Sequence, residues 1–239
     1  MKKISILCIA LCTIAISSAQ WGEKVRGNGN VITEKRTTTD YDEITIGGFF
    51  DVMLVNNTEG QLEITGEENI LAYIITEVKD NKLIIKTKKG VNLRTNKKVS
   101  LKVPVQDISK LKASGSGNVI GDNFTLKTTT LSTYNSGSGN LSLAVEVDQL
   151  SSSISGSGRS TLSGTAEDID IRVSGSGNLN AFELKSKNAE VQISGSANVK
   201  IDVSDRLDVK ISGSGNVRYK GNPKREYTKV SGSGNVSKA

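Results

Sequence analysis

The residues best placed to do chemistry are acids. Asp168 and Asp170 stand two apart and so share one face of an extended strand, and Asp202, Asp205 and Asp208 follow close by. Paired carboxylates that flank a scissile glycosidic bond can cleave it. A carbohydrate-active enzyme, a polysaccharide lyase or hydrolase working on a β-helix, is therefore one reading of the chain. Most other catalytic groups are missing. The 239 residues contain no histidine, which removes the commonest general base, the Ser-His-Asp and Cys-His nucleophile systems, and His-ligated metal. Neither a G-x-G-x-x-G dinucleotide fingerprint nor a G-x-x-x-x-G-K-[ST] phosphate loop occurs. The glycine-rich turns carry Ser and Asn where a calcium-binding β-helix needs Asp. No catalytic residue, cofactor site or metal site is assigned.

Cations form a second candidate. Between Lys79 and Lys102 stand Lys79, Lys82, Lys86, Lys88, Lys89, Arg94, Lys97, Lys98 and Lys102 against the single acid Asp80, a local net charge of +8. Such a segment could meet a glycan or another envelope polyanion. It could equally be a solvated coil edge whose lysines discourage edge-to-edge pairing. Nucleic acid is disfavoured, because no aromatic residue interleaves the run for base stacking.

The N-terminus gives a compartment. Met1-Lys2-Lys3 precedes an apolar stretch from Ile4 to Ile16 and the small residues Ser17-Ser18-Ala19, which together read as a secretory signal peptide over residues 1–19. The apolar stretch falls short of the ~20 residues that span a bilayer, and no segment of the mature chain reaches that length. Export to the periplasm, the cell surface or the medium follows. Both cysteines, Cys8 and Cys12, lie in the removed part, so the mature chain has no disulfide. It keeps 29 basic and 25 acidic residues, a net charge of +4.

The elements that position all of these groups are written in a repeat. Ser114–Asn118, Ser136–Asn140, Ser155–Arg159, Ser174–Asn178, Ser194–Asn198, Ser212–Asn216 and Ser231–Asn235 are versions of SGSGN, spaced by 22, 19, 19, 20, 18 and 19 residues. Between them β-branched residues alternate, as in Ile169, Ile171, Val173 and Leu207, Val209, Ile211, the period-2 pattern of half-buried strands. Regular coils of this length predict an all-β fold, a parallel β-helix or β-solenoid with coils of about 18–22 residues. Parity places Gly175 and Gly177 inward with Val173 and Leu179. Either an opposing wall leaves no room for a Cβ there, or the chain bends at positive φ. In that register Asn118, Asn140, Asn178, Asn198, Asn216 and Asn235 form a structural ladder, interrupted by Arg159. Ser174, Ser176 and Asn178 and their equivalents form an outward array that could match a periodic ligand.

Residues 40–105 keep strand patterning without the pentapeptide, as in Phe50, Val52, Leu54 and Leu101, Val103, Val105. Ile70, Leu71, Ile74, Ile75 and Val78 show helical spacing, short enough for one turn before a strand. Residues 20–39 read as an N-terminal arm, with Arg26-Gly27-Asn28-Gly29-Asn30 either an edge strand or a polar tail. The solenoid domain is 40–236, irregular over 40–105 and regular over 106–236. The series Tyr41-Asp42-Glu43-Ile44, Gly48-Phe49-Phe50-Asp51-Val52, Gly66-Glu67-Glu68-Asn69-Ile70-Leu71 and Val78-Lys79-Asp80-Asn81-Lys82-Leu83, followed by the SGSGN run, resembles the head GIN family of auto-transporter adhesins. The resemblance implies a right-handed parallel β-helix in an exported or envelope protein of Bacteroidetes-type bacteria, and a non-enzymatic adhesin or envelope-associated binding role.

Overall fold

The structure, a computed structural model, describes residues 23–239, so the signal peptide at 1–19 lies outside the described residues. In chain order the elements are β1 (Glu23–Arg26), β2 (Val31–Thr37), β3 (Glu43–Gly48), β4 (Asp51–Asn56), β5 (Gln61–Glu67), one helical turn α1 (Glu68–Leu71), β6 (Ile74–Lys79), β7 (Lys82–Thr87), β8 (Val91–Arg94), β9 (Ser100–Val105) and β10 (Lys110–Gly115). Five long strands follow: β11 (Val119–Gly137), β12 (Asn140–Gly156), β13 (Arg159–Gly175), β14 (Asn178–Gly195) and β15 (Asn198–Gly213). β16 (Asn216–Lys220), β17 (Arg225–Ser231) and β18 (Asn235–Lys238) complete the chain. The result is a β-solenoid of about seven turns.

Each long strand is a coil, and alternation builds it. In β12, Leu141, Leu143, Val145 and Val147 point inward, Asp148 and Gln149 both point out, and Leu150 and Ile154 return to the core. Two successive outward residues turn the chain. Glu167-Asp168 does the same in β13. A less regular corner falls where the pairing slips, between Ile120 and Thr125 and between Ala181 and Lys185, since an extra residue on one strand bends it. The pentapeptide makes the remaining corner. Parallel pairing then stacks like on like: Ile154 stands opposite Val173, Val173 opposite Ile193, and Ile193 opposite Ile211. Each of these four is 1–2 % exposed, so burying one stabilises by about 1.5–3 kcal/mol before entropy is counted.

At the pentapeptide corner the two readings of the glycines both apply, one to each glycine. The first glycine bends the chain, with φ of +107° at Gly175 and +126° at Gly195. A Cβ on Gly195 would lie 2.3 Å from the Gly175 carbonyl oxygen. The second glycine is the inward one. A Cβ on Gly177 would meet Ile154 Cγ2 at 2.5 Å, a side chain that can yield, and position 197 already holds an alanine that is fully buried.

The first half departs from simple winding. β7 pairs in parallel with β3, and β9 with β4, so the coil formed by residues 82–105 lies beneath the one formed by 43–56 although it follows it in sequence. β10 and the start of β11 then stack on the other side of β3 and β4. Antiparallel strands close this end, with β6 on β7 and β5 on β9. β2 lies antiparallel along β5, while β1 pairs with β8 in a separate two-stranded sheet. The apolar run after Glu67 forms the single turn α1 ahead of β6, with Ile70 and Leu71 buried.

Candidate functional site

Stacked coils convert each outward position into a column. On the side leading into the glycine corner, one column is Ser136, Ser155, Ser174, Ser194, Ser212 and Ser231. Two residues earlier stand Tyr134, Ser153, Arg172, Gln192, Lys210 and Lys229. Two residues earlier again come Ser132, Ser151, Asp170, Glu190, Asp208 and Tyr227. The first two columns line a trough of about 620 Å³. It crosses six coils and, at ~4.8 Å per coil, is ~24 Å long. Its cations are mostly answered by the acid column beside them. Arg172 pairs with Asp170 at 2.5 Å and Lys210 with Glu190 at 3.2 Å. Hydrogen bonds from Gln192 and Lys210 hold the Glu190 carboxyl below its ordinary value.

Asp168 and Asp205 are engaged as well, while Asp170 and Asp208 each keep a buried Oδ1 with no hydrogen-bond partner among the described residues. Asp168 accepts a hydrogen bond from Asn188 Nδ2 at 2.7 Å. Asp205 pairs with Lys224 at 3.1 Å and with Arg225 at 3.4 Å, and its pKa is lowered, chiefly by the Lys224 hydrogen bond. A glycosidase acid needs the opposite shift, upward toward neutrality.

Just past the glycine corner, the asparagine series makes side-chain bonds between coils. Asn140 Nδ2 donates to Asn118 Oδ1 at 2.8 Å, Asn198 to Asn178 at 3.0 Å, and Asn216 to Asn198 at 3.1 Å. Arg159 stands between the two runs, and Asn235 lies in register on Asn216. Each of these amides donates toward the N-terminal end, so the series needs an acceptor at its base. That acceptor is Asp51, whose Oδ1 receives Asn118 Nδ2 at 2.8 Å and the Asn118 backbone N–H at 3.0 Å. Gly47-Gly48-Phe49-Phe50-Asp51 is thus a disguised pentapeptide: Gly47 and Gly48 pair with Ser114 and Gly115. Sequence reasoning missed it because Phe50 sits where the second glycine should be. That ring is fully buried and fills the interior directly. The Gly-Gly pair followed by an acid at the asparagine position was the available signal.

The nine cations of 79–102 lie on β6 to β9 and the segments between them. They run along the coil that carries β7, β8 and β9: Lys82 and Lys86 on β7, Lys88, Lys89 and Arg94 in the loop and β8, Lys97 and Lys98 before β9 and Lys102 on β9, with Lys79 at the end of β6 beside Lys82. Three of them are in ion pairs, Lys82 with Glu43, Lys86 with Glu77 and Lys98 with Asp51. Among the described residues no cluster of His, Cys, Asp or Glu could hold a metal ion, and no helix is long and apolar enough to cross a membrane.

Fold and surface together define a class: a parallel β-solenoid whose glycine corners align polar columns along its outer sides. The chain belongs to the family described as putative auto-transporter adhesin, head GIN domain, whose model matches residues 40–223. No curated protein matches it. Among solved structures it is similar to a putative adhesin from Bacteroides fragilis, with 24% identity and a TM-score of 0.85 over 90% of this chain and 100% of that one. It is also similar to a putative lipid binding protein from Parabacteroides distasonis, with 27% identity and a TM-score of 0.74 over 91% of this chain and 100% of that one. A putative adhesin from Parabacteroides merdae shares 27% identity with a TM-score of 0.66, over 91% of this chain and 99% of that one.

Proposed function

We propose that the chain is a non-enzymatic binding module, exported to the cell envelope, that holds an extended ligand along the outside of its solenoid. The observation that carries this reading is the straight trough beside the serine column. Six coils line one continuous shallow trough there, with serines and longer polar side chains beside a largely apolar floor that includes Ile154, Val173, Ile193 and Ile211, which suits a long ligand and offers no single reacting centre. Family membership and the adhesin-named neighbours support the binding role, and the signal-peptide pattern supports export.

The competing enzymatic reading depends on free carboxylates converging on one bond. Asp170 and Glu190 are instead tied to Arg172 and Lys210. The test pairs a screen against immobilised envelope polysaccharides with a reducing-sugar assay on every polymer retained. Saturable retention without new reducing ends is expected, and Ser174→Glu with Ser194→Glu should weaken whatever the trough holds. Turnover of any retained polymer would overturn the proposal in favour of a lyase or hydrolase.

A further inference from the structure

Across the glycine corner from the serine trough lies a second strip with different electrostatics. Asn198, Asn216 and Asn235 form one column, and Lys200 and Arg218 stand two residues further along their strands. Lys238 completes the lining of a groove of about 380 Å³ over the last three coils. No carboxylate among the described residues lines it. Among the described residues Arg218 makes no ion pair, Lys200 contacts only the Phe182 ring, 5.6 Å from its centroid, and Lys238 donates to the neutral Asn222 side chain. Two coils below Asn198, Arg159 adds a further cation on the asparagine line. The contrast with the serine trough is one of charge balance: there each of the two central cations has its acid, whereas here three cations have none.

We infer that this strip binds acidic linear polysaccharide, on a surface separate from the serine trough. Three properties select that ligand class. Two unanswered cations in register on successive coils, Lys200 and Arg218, ~4.8 Å apart, with Lys238 one residue off their column on the next coil, attract a polymer bearing carboxylate or sulfate groups along its length. Asparagine side chains offer both a donor and acceptors, which matches the hydroxyls of a sugar and is wasted on a simple polyanion. The strip is also narrow, ~7 Å between columns, and its one nearby large apolar group, Phe182, is half-buried beneath Lys200 and Lys220. A membrane surface calls instead for exposed apolar residues that can insert.

The inference rests on the reading of the chain as a binding module but can fail apart from it. Full-length chain is titrated with polygalacturonate, heparin and neutral dextran, and with vesicles containing phosphatidylglycerol. Polygalacturonate or heparin should bind, more weakly at higher salt, and Lys200→Glu with Arg218→Glu should reduce that affinity on the order of ten- to a hundredfold. The melting temperature of the double variant should match the parent, since both side chains are exposed. Ser174→Glu with Ser194→Glu should leave acidic-polymer binding intact. Failure of both acidic polymers to bind, an unchanged affinity after charge reversal, or binding confined to the vesicles would each overturn the inference. If dextran or another neutral glycan is retained through the serine trough in any of those cases, the binding-module reading stands without it.

Discussion

At its N-terminal end the solenoid is closed by antiparallel strands and two anchored charges, whereas at its C-terminal end the last coil lies bare on the stack. The closed end uses Arg36 of β2 to occupy backbone acceptors at the margin of the sheet. Its guanidinium donates to the Leu71 carbonyl at 2.8 Å, to the Ile74 carbonyl at 2.5 Å and to Thr76 Oγ1 at 3.2 Å. Glu67, fully buried, accepts backbone N–H bonds from Gly29 at 2.8 Å and from Asn96 and Lys97 at 2.9 and 3.4 Å. Its carboxylate thereby ties the N-terminal arm to the loop before β9. At the other end every residue of β17 is exposed, including Tyr227 at 55% and Val230 at 39%. Lys224, Arg225, Lys229 and Lys238 stand there instead, charges of the kind that keep an open edge from pairing with another. Stacking wants identical coils and closure wants a different one, so the irregular residues are concentrated at the end that is closed.

The sharpest way to break that contrast is to remove Glu67. Glu67→Ala leaves three backbone N–H groups without their acceptor and should cause the largest fall in melting temperature of the variants named here. It should also release residues 23–37 to protease before the rest of the chain. Gly27 gives an independent check, because a Cβ there would lie 2.0 Å from Glu67 Oε2, and Gly27→Ala should mimic the loss. The same carboxylate predicts the pH response. Burial raises its pKa, but the N–H donors, with Lys97 nearby, outweigh burial and leave it below the ordinary 4.5. A depressed carboxyl contributes stability that is full above the unfolded value and is lost as pH falls through the folded one. Hydrogen exchange at β2 should therefore accelerate below about pH 4, and Glu67→Gln should flatten that acid response while weakening the arm at neutral pH. An acid response retained in the Gln variant would assign it elsewhere, to Glu43 for example, which is lowered by its hydrogen bond from Lys110.

A smaller effect compares one substitution at two heights in the stack. Gly195→Ala forces an alanine to φ +126° with its Cβ 2.3 Å from the Gly175 oxygen. Backbone strain alone should cost about 1–3 kcal/mol, read as a lower urea midpoint. Gly232 has nearly the same geometry, φ +124° and 2.3 Å to the Gly213 oxygen. It sits in the exposed last coil, which can fray instead of bearing strain, and Gly232→Ala should move the global midpoint little. Equal losses would mean that the open end is as cooperative as the middle.

What could be read from the residues follows the same division. The regular coils were legible because period-2 alternation, a Gly corner and a fixed spacing all point to one geometry, and the one-turn helix at Glu68–Leu71 declared itself by its apolar spacing. The swapped order of the 43–56 and 82–105 coils was not legible. Each strand there has a buried face whichever neighbour it takes, so its pattern fixes that it pairs and not with what. The cation segment illustrates the limit for sites. Nine charges close in sequence lie on β6 to β9 and the segments between them, whereas Lys200, Arg218 and Lys238, widely separated in sequence, line one groove. Column membership needs register, and the 18- to 22-residue spacings conceal it by one or two residues per coil.

The asparagine column offers the smallest effect and the finest test of end against middle. Asn198 both donates to Asn178 and accepts from Asn216. Asn198→Ala removes two exposed hydrogen bonds, each of which contributes only about 0.5–1.5 kcal/mol net, with exposure favouring the low end. At the base, Asp51→Ala removes the acceptor on which Asn118 rests through two bonds, and Asp51 also pairs with Lys98 at 3.7 Å. If the column merely decorates the corner, Asp51→Ala and Asn198→Ala should cost about the same. If its one-way polarity matters, the base should cost more, because Asn118 then directs its amide and backbone N–H at nothing while Asn140 above still leans on it. Asp51→Asn separates the two cases, since it keeps an acceptor oxygen and loses only the charge. Recovery of most of the stability in Asp51→Asn, measured by urea unfolding at neutral pH, would assign the effect to the hydrogen bonds of the column and not to the ion pair with Lys98.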